Sequence, residues 1–417
     1  EVRDIIAKVA ADMPVEGKRV LVITPDQTRS CPLPLMVKTL HRELTGKVAK
    51  LDFLIALGTH QALDDAQIDK LFGIGLEGRD AYLPGSSIFN HDWKNPDALR
   101  KIGTLDSDTV REISEGRFEM AVDVTINARV FDYDLVMILG PVFPHEVVGF
   151  SGGAKYFFPG ICGEELLNFF HWLGAVITIP KMIGLKMTAV RQLLHAAADM
   201  LDFETRAMCM VVKGHDDLMG LFYGQVNDAW AAAADVSDRV HILYKDAPFD
   251  SVLSCAPEMY DELWTGAKCM YKLECVVADG GELIIYAPHI HEIAVAHGEI
   301  IRAVGYHCLA YFLHDWDAFK DYPWGVLAHS THVRGIGEMD GDVEVPRVRV
   351  TLATGIPEDV CKSINMGYCD PATIDPAEWT GFENGGGGAD GTERRLHVPQ
   401  AGEMLYRLTD PPEWASV

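Results

Sequence analysis

A lysine with unusual neighbours is the first feature of this 417-residue sequence that suggests chemistry. Lys155 lies in FPHEVVGFSGGAKYFFPG, residues 143–160, where Gly152 and Gly153 precede it and an aromatic run follows it. A lysine amine becomes nucleophilic when desolvation lowers its pKa, and glycines allow close approach to the backbone. The stretch lacks the spacing of a P-loop or of a dinucleotide-binding turn. It indicates either a covalent attachment site at Lys155 or an ordinary tight turn that carries a solvated lysine.

Four histidines lie near the predicted ends of strands or in loops: His60, His91, His145 and His171. Imidazole binds metals such as nickel and zinc, and it also carries protons near neutral pH. Each histidine taken alone is explained as well by packing or by surface exposure. The sequence contains neither an HExxH nor a CxxC motif, so the protein alone does not supply a complete metal cage. A metal bound here would take most of its ligands from an organic cofactor.

Candidate anion-binding residues lie in two further motifs. Asp26 and Arg29 belong to PDQTR, directly after an apolar run, and Lys268 belongs to LWTGAKCMYK. The planar fork of an arginine suits a carboxylate or a phosphate, and a lysine supplies a point charge to either. A structural salt bridge explains Asp26 and Arg29 equally well, and a surface helix explains Lys268. The two motifs leave an anion site and purely structural roles open.

The order of apolar runs predicts an α/β protein with mainly parallel sheets. RVLVIT and KLDFLIALG read as buried strands, each followed by an amphipathic helix, and further strands are predicted at residues 132–140 and 249–257. Residues 178–240 have a helical pattern. Polar residues at the carboxyl ends of parallel strands commonly line ligand sites, so the motifs above are expected at such edges.

The length of the chain favours two domains. We predict an N-terminal α/β domain at residues 1–243, which carries Lys155 and the histidines, and a C-terminal α/β domain at residues 244–400, which contributes substrate anchors. Helices are expected to flank both sheets, with the active site in the cleft between the domains. Residues 384–392 are expected to form a flexible glycine loop, and residues 401–417 a tail that can dock on the N-terminal domain.

Composition excludes some classes of partner. A net charge of −25 repels a phosphate backbone, although a few converging cations still permit binding of a small anion. The nine cysteines follow no disulfide pattern and indicate reduced thiols. No signal peptide opens the sequence, and no apolar run is long enough to span a bilayer. We therefore expect a cytoplasmic protein that binds neither nucleic acid nor membranes.

Taken together, the motifs resemble those of the nickel-dependent lactate racemase family of 2-hydroxyacid racemases and epimerases. The likeness covers DQTR, LGTH, NHD at residues 90–92, HEVVGFSGGAKYFFPGI and TGAK, and the spacing of His145, Lys155 and His171 is its most specific part. In that family a lysine carries the nickel pincer nucleotide, a pyridinium-3-thioamide-5-thiocarboxylic acid mononucleotide. The resemblance implies covalent attachment of this cofactor to Lys155, nickel coordination by His171, and maturation by cofactor-biosynthesis enzymes.

The resemblance also implies roles for the other candidates. His91 and His145 would be the paired acid and base, exchanging the hydroxyl proton while hydride moves reversibly between the α-carbon and the cofactor. Arg29 and Lys268 would hold the substrate carboxylate, and Asp26 would orient the substrate or the cofactor. Further implied contacts are Thr265 with the substrate, Gly152 and Gly153 with the cofactor, and Trp324 beside the pyridinium ring.

Departures from the family pattern concern the substrate. Thr265 replaces a glutamine, and the segment 286–332 adds histidines beyond the needs of a methyl-bearing substrate. The added histidines are His289, His291, His329 and His332. They suggest a larger, more polar hydroxyacid, such as the sugar acid gluconate, while ordinary loop or core packing explains them as well.

Two other functions are compatible with the sequence. One is a pincer-dependent 2-hydroxyacid oxidoreductase, and the other is a noncatalytic protein that binds an anionic metabolite. The concentration of histidines around one lysine favours catalysis, because mere binding of an anion requires cations and no proton carriers. The oligomeric state is left open.

Overall fold

The computed structural model describes residues 2–58, 60–214, 217–387 and 393–416. The chain divides into two compact units: unit 1 comprises residues 1–143, 150–167 and 191–240, and unit 2 comprises residues 144–149, 168–190 and 241–417. The last of these boundaries lies close to the predicted one at residues 243 and 244. Unit 2 differs from the predicted C-terminal domain because it also takes up two segments from the first half of the chain.

Helices and strands alternate along most of the described chain. The helices are α1 Val2–Asp12, α2 Leu33–Leu44, α3 Asp65–Phe72, α4 Arg79–Tyr82, α5 Ser107–Ile113, α6 Glu164–Ile177, α7 Ala189–Ala198, α8 Val226–His241, α9 Leu263–Gly266, α10 Lys268–Tyr271, α11 Gly298–Val304, α12 Leu309–His314, α13 Trp316–Phe319, α14 Trp324–Arg334 and α15 Glu358–Ser363. The strands are β1 Arg19–Thr24, β2 Lys50–Ile55, β3 Ile88–Asn90, β4 Leu99–Leu105, β5 Val122–Asn127, β6 Leu135–Pro141, β7 Pro144–His145, β8 Gly149–Phe150, β9 Glu204–Lys213, β10 Asp217–Gly224, β11 Ile242–Lys245, β12 Phe249–Cys255, β13 Val277–Ala287, β14 Gly337–Asp340, β15 Val343–Pro346, β16 Arg349–Thr354, β17 Gly367–Tyr368, β18 Gly386–Gly387, β19 Arg394–Val398 and β20 Leu405–Leu408.

Unit 1 is built on a sheet with the strand order β10-β9-β6-β1-β2-β3. All neighbouring strands run parallel except β10, which is antiparallel to β9. The central strands β1 and β6 are continuous apolar runs whose side chains are buried almost throughout, as expected of a parallel sheet covered on both faces. The loops after β1 and β2 carry Asp26 and His60, so these two residues emerge at adjacent carboxyl ends.

Unit 2 contains a second sheet with the order β17-β16-β13-β12-β19-β18, again parallel except for its last strand, β18. The tail lies in this unit, where β20 pairs in parallel with β11. Its docking on a separate N-terminal domain stays a prediction. Arg407 fixes it by donating to the carbonyls of Ile183 at 2.9 Å and Ala415 at 3.2 Å. The predicted glycine loop falls partly outside the described residues, since 388–392 are not among them.

The prediction of an α/β fold with mainly parallel sheets flanked by helices is confirmed. The helical pattern predicted over residues 178–240 is wrong in its middle, where β9 and β10 form an antiparallel pair. β9 buries residues 207–212 in succession, so its apolar run belongs to a core strand. In the described part of the chain, no helix is long and apolar enough to cross a membrane.

Candidate active site

The turn that carries Lys155 is held by side chains from two helices of unit 1. Arg191 of α7 donates to the backbone carbonyls of residues 150 and 152, and Trp230 of α8 donates from Nε1 to the carbonyl between them at 3.0 Å. The Arg191 guanidinium also lies over the Trp230 ring, 4.2 Å from its centroid. Burial lowers the pKa of Arg191 to about 9, which still leaves it charged at neutral pH. Lys155 itself is half-buried and comes shortly after this fixed segment of the backbone.

Gly152 and Gly153 are needed for the packing of the turn itself. Both have positive φ, 78° and 57°, which favours glycine. A Cβ on Gly152 would lie 2.5 Å from a methyl carbon of Val142, and one on Gly153 would lie 2.6 Å from Cβ of Trp230. The glycines therefore let the backbone of the turn pack closely against Val142 and Trp230. Their contact with a cofactor stays a prediction.

Trp230→Ala is expected to lower the free energy of unfolding by about 3–5 kcal/mol, the usual cost of removing a buried tryptophan. Trp230 is 3% exposed, and its loss would also remove the ring beneath Arg191 and a donor to the Lys155 turn. Denaturant unfolding measures this change. Trp379→Ala, at a half-buried position in unit 2, is the control and should cost much less. Equal losses in the two variants would contradict the structural role of Trp230.

Asp26 and His60 form a carboxylate-imidazole pair in unit 1. Nδ1 of His60 makes a short hydrogen bond to one carboxylate oxygen of Asp26, and the other oxygen accepts from the amide and hydroxyl of Thr28 at 3.0 and 2.7 Å. Burial opposes ionisation of Asp26, but His60, Arg29 and Thr28 together hold its pKa well below the usual range. Arg29 donates to the Thr28 hydroxyl at 2.9 Å. Asp26 is thus a permanent carboxylate that orients His60.

His91 is fully buried in unit 1, and both of its ring nitrogens are engaged. Nδ1 lies 3.0 Å from the amide nitrogen of Asn127, and Nε2 lies 3.0 Å from the carbonyl oxygen of Cys162. Burial lowers the pKa of His91 to about 4, so the ring is neutral at ordinary pH. These contacts describe a histidine that ties β5 and the segment before α6 to the loop after β3.

His145 lies in β7 of unit 2 and is also buried. The amide of Val147 donates to its Nδ1 at 3.1 Å, and a carboxylate oxygen of Glu146 lies 3.3 Å from the same nitrogen. Glu146 also acts on His332 of α14 and favours its protonation. The stronger effect is burial, which lowers the pKa of His332 to about 4.

His171 lies on α6 and is half-buried. Burial lowers the pKa of two histidines of α14, His329 and His332, and the imidazole of His171 adds a smaller effect in the same direction. The ring of His329 stacks on Trp264 with centroids 3.7 Å apart. Nε2 of both His329 and His332 is buried without a hydrogen-bond partner among the described residues. Two neutral imidazoles, those of His329 and His332, therefore lie near His171 in unit 2.

The predicted substrate anchors of unit 2 lie on the short helices α9 and α10. Thr265 is buried, and its hydroxyl donates to the carbonyl of Glu262 at 3.0 Å. The Lys268 ammonium lies over the ring of Tyr260, 4.5 Å from its centroid. Lys268 is half-buried, and its binding of a substrate carboxylate stays a prediction.

Trp324 begins α14 and belongs to an aromatic cluster. Trp172, the residue after His171, stacks on Trp316 at 5.2 Å, and the ring of Trp324 lies tilted 6.4 Å from Trp172. Its indole N–H donates to the carbonyl of Lys320 at 3.0 Å. Contact of this ring with a pyridinium stays a prediction.

Two of the extra histidines bind backbone carbonyls. His289 lies 3.1 Å from the carbonyl oxygen of Tyr260, and His291 lies 3.2 Å from that of Gly355. Both contacts stabilise loops of unit 2. His329 and His332, whose Nε2 atoms lack such partners among the described residues, are the stronger candidates for ligand contacts.

Within the described residues, no three or more His, Cys, Asp or Glu side chains converge to form a metal cage. A metal at His171 would therefore need ligands from a non-protein group, as the family's cofactor provides. The donors present fit that group in kind: a half-buried imidazole on a helix and a lysine amine on a fixed turn.

Residues 4–181 match the model of the lactate racemase N-terminal domain. This range contains Asp26, Lys155 and all four histidines first singled out in the sequence. The chain thus contains a region that matches the N-terminal domain of lactate racemases. A lactate racemase from Thermoanaerobacterium thermosaccharolyticum is 26% identical over an alignment of 300 residues that covers 68% of this chain and 62% of that protein. Another, from Lactiplantibacillus plantarum, is 26% identical over 39% of this chain and 34% of its own length. The matches thus span less than two thirds of either racemase.

Solved structures of similar proteins extend the likeness over the whole fold. A Thermotoga maritima protein, determined in a structural genomics programme, is 31% identical, with a TM-score of 0.87 over 98% of this chain and 97% of that one. The lactate racemase apoprotein from T. thermosaccharolyticum is 19% identical, with a TM-score of 0.72 over 97% and 93% of the two chains. The second comparison supports the α/β architecture of this chain.

Sequence reasoning gave too little weight to some residues around the candidate site. His60 was among the histidines noted at loop ends, but its pairing with Asp26 depends on two strands being adjacent in the sheet. Glu146 could have been found as the carboxylate next to His145 in sequence. Arg191 and Trp230 gave no signal, because they lie on helices far from Lys155 in the chain.

Proposed function

We propose that this protein is a racemase or epimerase of 2-hydroxyacids, an isomerase. The supporting observation is the match of residues 4–181 to the lactate racemase N-terminal domain, combined with a fixed turn that presents Lys155. The relatives with a named activity are lactate racemases. Nine cysteines without a disulfide suit the reducing cytoplasm, where we place the enzyme.

The proposed cofactor is the nickel pincer nucleotide, attached covalently to Lys155 after synthesis by separate maturation enzymes. When bound, it would supply the reversible hydride acceptor and donor that the side chains lack. His171 is the proposed protein ligand of nickel, since imidazole nitrogen suits this metal. Gly152 and Gly153 would give the turn its shape, and Trp324 would flank the ring of the cofactor.

Two histidines are proposed to exchange the hydroxyl proton of the substrate. His145 keeps the acid/base role predicted from the sequence. His91 stays proposed for the second role, as predicted from the sequence, and His60 is a second candidate because both nitrogens of His91 have partners inside the protein. His60 is 28% exposed at its side chain, and Asp26 holds its Nδ1 while leaving Nε2 for proton transfer.

Arg29 and Lys268 are the proposed cations for the substrate carboxylate, with Thr265 beside Lys268. The proposed substrate is larger and more polar than lactate, and gluconate is one example. The orphaned Nε2 atoms of His329 and His332 support this proposal, since a buried imidazole without a partner gains by contacting a substrate hydroxyl.

The test begins with protein coexpressed with the cofactor-making enzymes and incubated with one enantiomer or epimer of lactate, malate, gluconate or an aromatic 2-hydroxyacid. The proposal expects the opposite configuration to form at the α-carbon. Accumulation of a 2-keto acid with an added electron acceptor would instead identify an oxidoreductase. Thermal stabilisation by a hydroxyacid without turnover would identify a binding protein.

A further inference from the structure

We infer that unit 2 contains a binding pocket for a small organic cation, a primary ammonium group on a short hydrocarbon chain, whose charge pairs with Glu274. The pocket has a volume of about 200 Å³, and its lining residues all belong to unit 2. An apolar cavity of about 150 Å³ already holds a molecule of the size of benzene. This ligand is distinct from the 2-hydroxyacid of the proposed function, and its binding does not depend on that function.

Hydrocarbon forms most of the wall of this pocket. Ile179 contributes just after the end of α6, and Leu309 and Leu313 contribute from α12. The polar side chains in the wall are those of Glu274, His332 and two threonines, and none of the described residues that line the pocket is a lysine or an arginine. A mainly apolar cavity with a few polar groups is the usual form of a small-molecule site. In this pocket the formal charge is negative, which favours a cation.

The Glu274 side chain brings a carboxyl group to the pocket that is only partly bound by the protein. It is 1% exposed, and the hydrogen bond that it accepts from the Ile336 amide at 2.7 Å is the only one to its carboxyl group within the described residues. The nearby Arg347 donates to the backbone carbonyls of Val277 and Glu274 at 2.7 and 2.6 Å. Its guanidinium also pairs with Asp279 at 3.0 Å. In the described part of unit 2, no side-chain cation therefore forms an ion pair with Glu274.

A buried carboxyl group without a paired cation gains from a ligand that brings a positive charge. Burial raises the pKa of Glu274 above its ordinary value, while Arg347 and the Ile336 amide act in the opposite direction. The neighbouring titratable groups do not supply the cation. Burial lowers the pKa of His332 to about 4 and raises the pKa of the Cys275 thiol to about 12, so both groups are neutral at ordinary pH.

His332 offers a second hydrogen-bonding partner in the same pocket. It is 3% exposed, and its Nε2 is buried without a hydrogen-bond partner among the described residues. An ammonium group has three N–H donors, so it can donate both to the Glu274 carboxylate and to an imidazole nitrogen that carries a lone pair. A substrate hydroxyl and this ligand would compete for Nε2 of His332, so the pocket is tested without a hydroxyacid.

The first test measures the binding of butylammonium to the cofactor-free full chain by titration calorimetry. We expect saturable binding that tightens about fourfold for each methylene from ethylammonium to butylammonium, because each added CH₂ is buried against hydrocarbon. Butan-1-ol, which has the same chain without the charge, should bind about tenfold more weakly or worse. Since butylammonium favours the carboxylate, its affinity should rise with pH until Glu274 of the unbound protein is fully ionised.

Two variants separate the charge of the pocket from its space. Glu274→Gln keeps an acceptor for the Ile336 amide but removes the charge, so it should weaken butylammonium binding about tenfold or more and abolish the rise with pH. Ala310→Leu adds bulk at a half-buried position of the wall and should weaken butylammonium and butan-1-ol alike. Glu299→Gln, at an exposed position in unit 2, is the control and should change neither.

No binding of butylammonium to the wild type would overturn the inference. Binding of butan-1-ol as tight as that of butylammonium would also overturn it, because the charge would then contribute nothing. Unchanged butylammonium binding in Glu274→Gln or in Ala310→Leu would place the ligand elsewhere. None of these results bears on the proposed racemase or epimerase function, which is tested through turnover of hydroxyacids.

Discussion

Lys155→Ala is expected to abolish both cofactor attachment and racemisation. The tether requires an amine at this position, and the side chains of this protein provide no substitute that accepts a hydride. After coexpression with the maturation enzymes, the intact mass of the wild type should exceed that of the bare chain by the cofactor, and peptide analysis should place the adduct on Lys155. The variant should have the mass of the bare chain and no measurable turnover.

Two further variants separate chemistry from charge and folding. Lys155→Arg keeps a positive charge on the same turn but lacks the amine, so it should also lack the adduct. Lys8→Ala removes an exposed lysine of α1 and should retain both adduct and activity. Because Lys155 is half-buried, its loss is expected to change the thermal midpoint little. An adduct of unchanged mass on Lys155→Ala would refute the assigned tether.

The sheet of unit 1 was readable from the sequence where burial is continuous. The runs at β1 and β2 are buried on both faces and mainly apolar, which is typical of a covered parallel strand or a buried helix, and their short length indicates strands. β9 has the same character, yet the alanine-rich helix after it and the helical spacing before it hid it in a longer helical pattern. A local sequence pattern does not distinguish a strand from a helix when helical patterns precede and follow it.

The candidate site was predictable only as far as its residues are close in sequence. Lys155 stood out through its own neighbours, whereas the Arg191 and Trp230 contacts that hold its turn come from 36 and 75 residues away, as the sequence numbers give by subtraction. Each such contact depends on where a helix packs. The family resemblance supplied what the physical pattern did not, namely a chemical role for the lysine.

His60 and His91 illustrate the same limit within one site. Both lie after a strand, so the sequence pattern alone does not favour one of them over the other as a proton carrier. The structure distinguishes them through their partners, which are a carboxylate for His60 and an amide and a carbonyl for His91. A carboxylate stabilises an imidazolium, while burial among neutral dipoles opposes it.

His60→Asn is therefore expected to lower kcat by about 100- to 10,000-fold, the usual contribution of a general acid or base. The asparagine amide can still donate to Asp26 from the position of Nδ1, so little stability should be lost. His91→Asn should instead destabilise the fold by about 1–3 kcal/mol, because the buried carbonyl of Cys162 loses its partner. Rates of hydroxyacid interconversion and denaturant unfolding measure the two effects.

The pH dependence of unfolding gives an independent reading of His91. Its pKa is about 4 in the folded protein, against an ordinary value of 6.5, so the unfolded chain binds this proton more readily. The stabilising effect of neutral His91 is present above about 6.5 and is lost as the pH falls toward 4. His91→Asn should make the fall in unfolding free energy over that interval shallower. A kcat loss in His91→Asn that exceeds the loss in His60→Asn, with stability unchanged, would assign the acid/base role to His91 and not to His60.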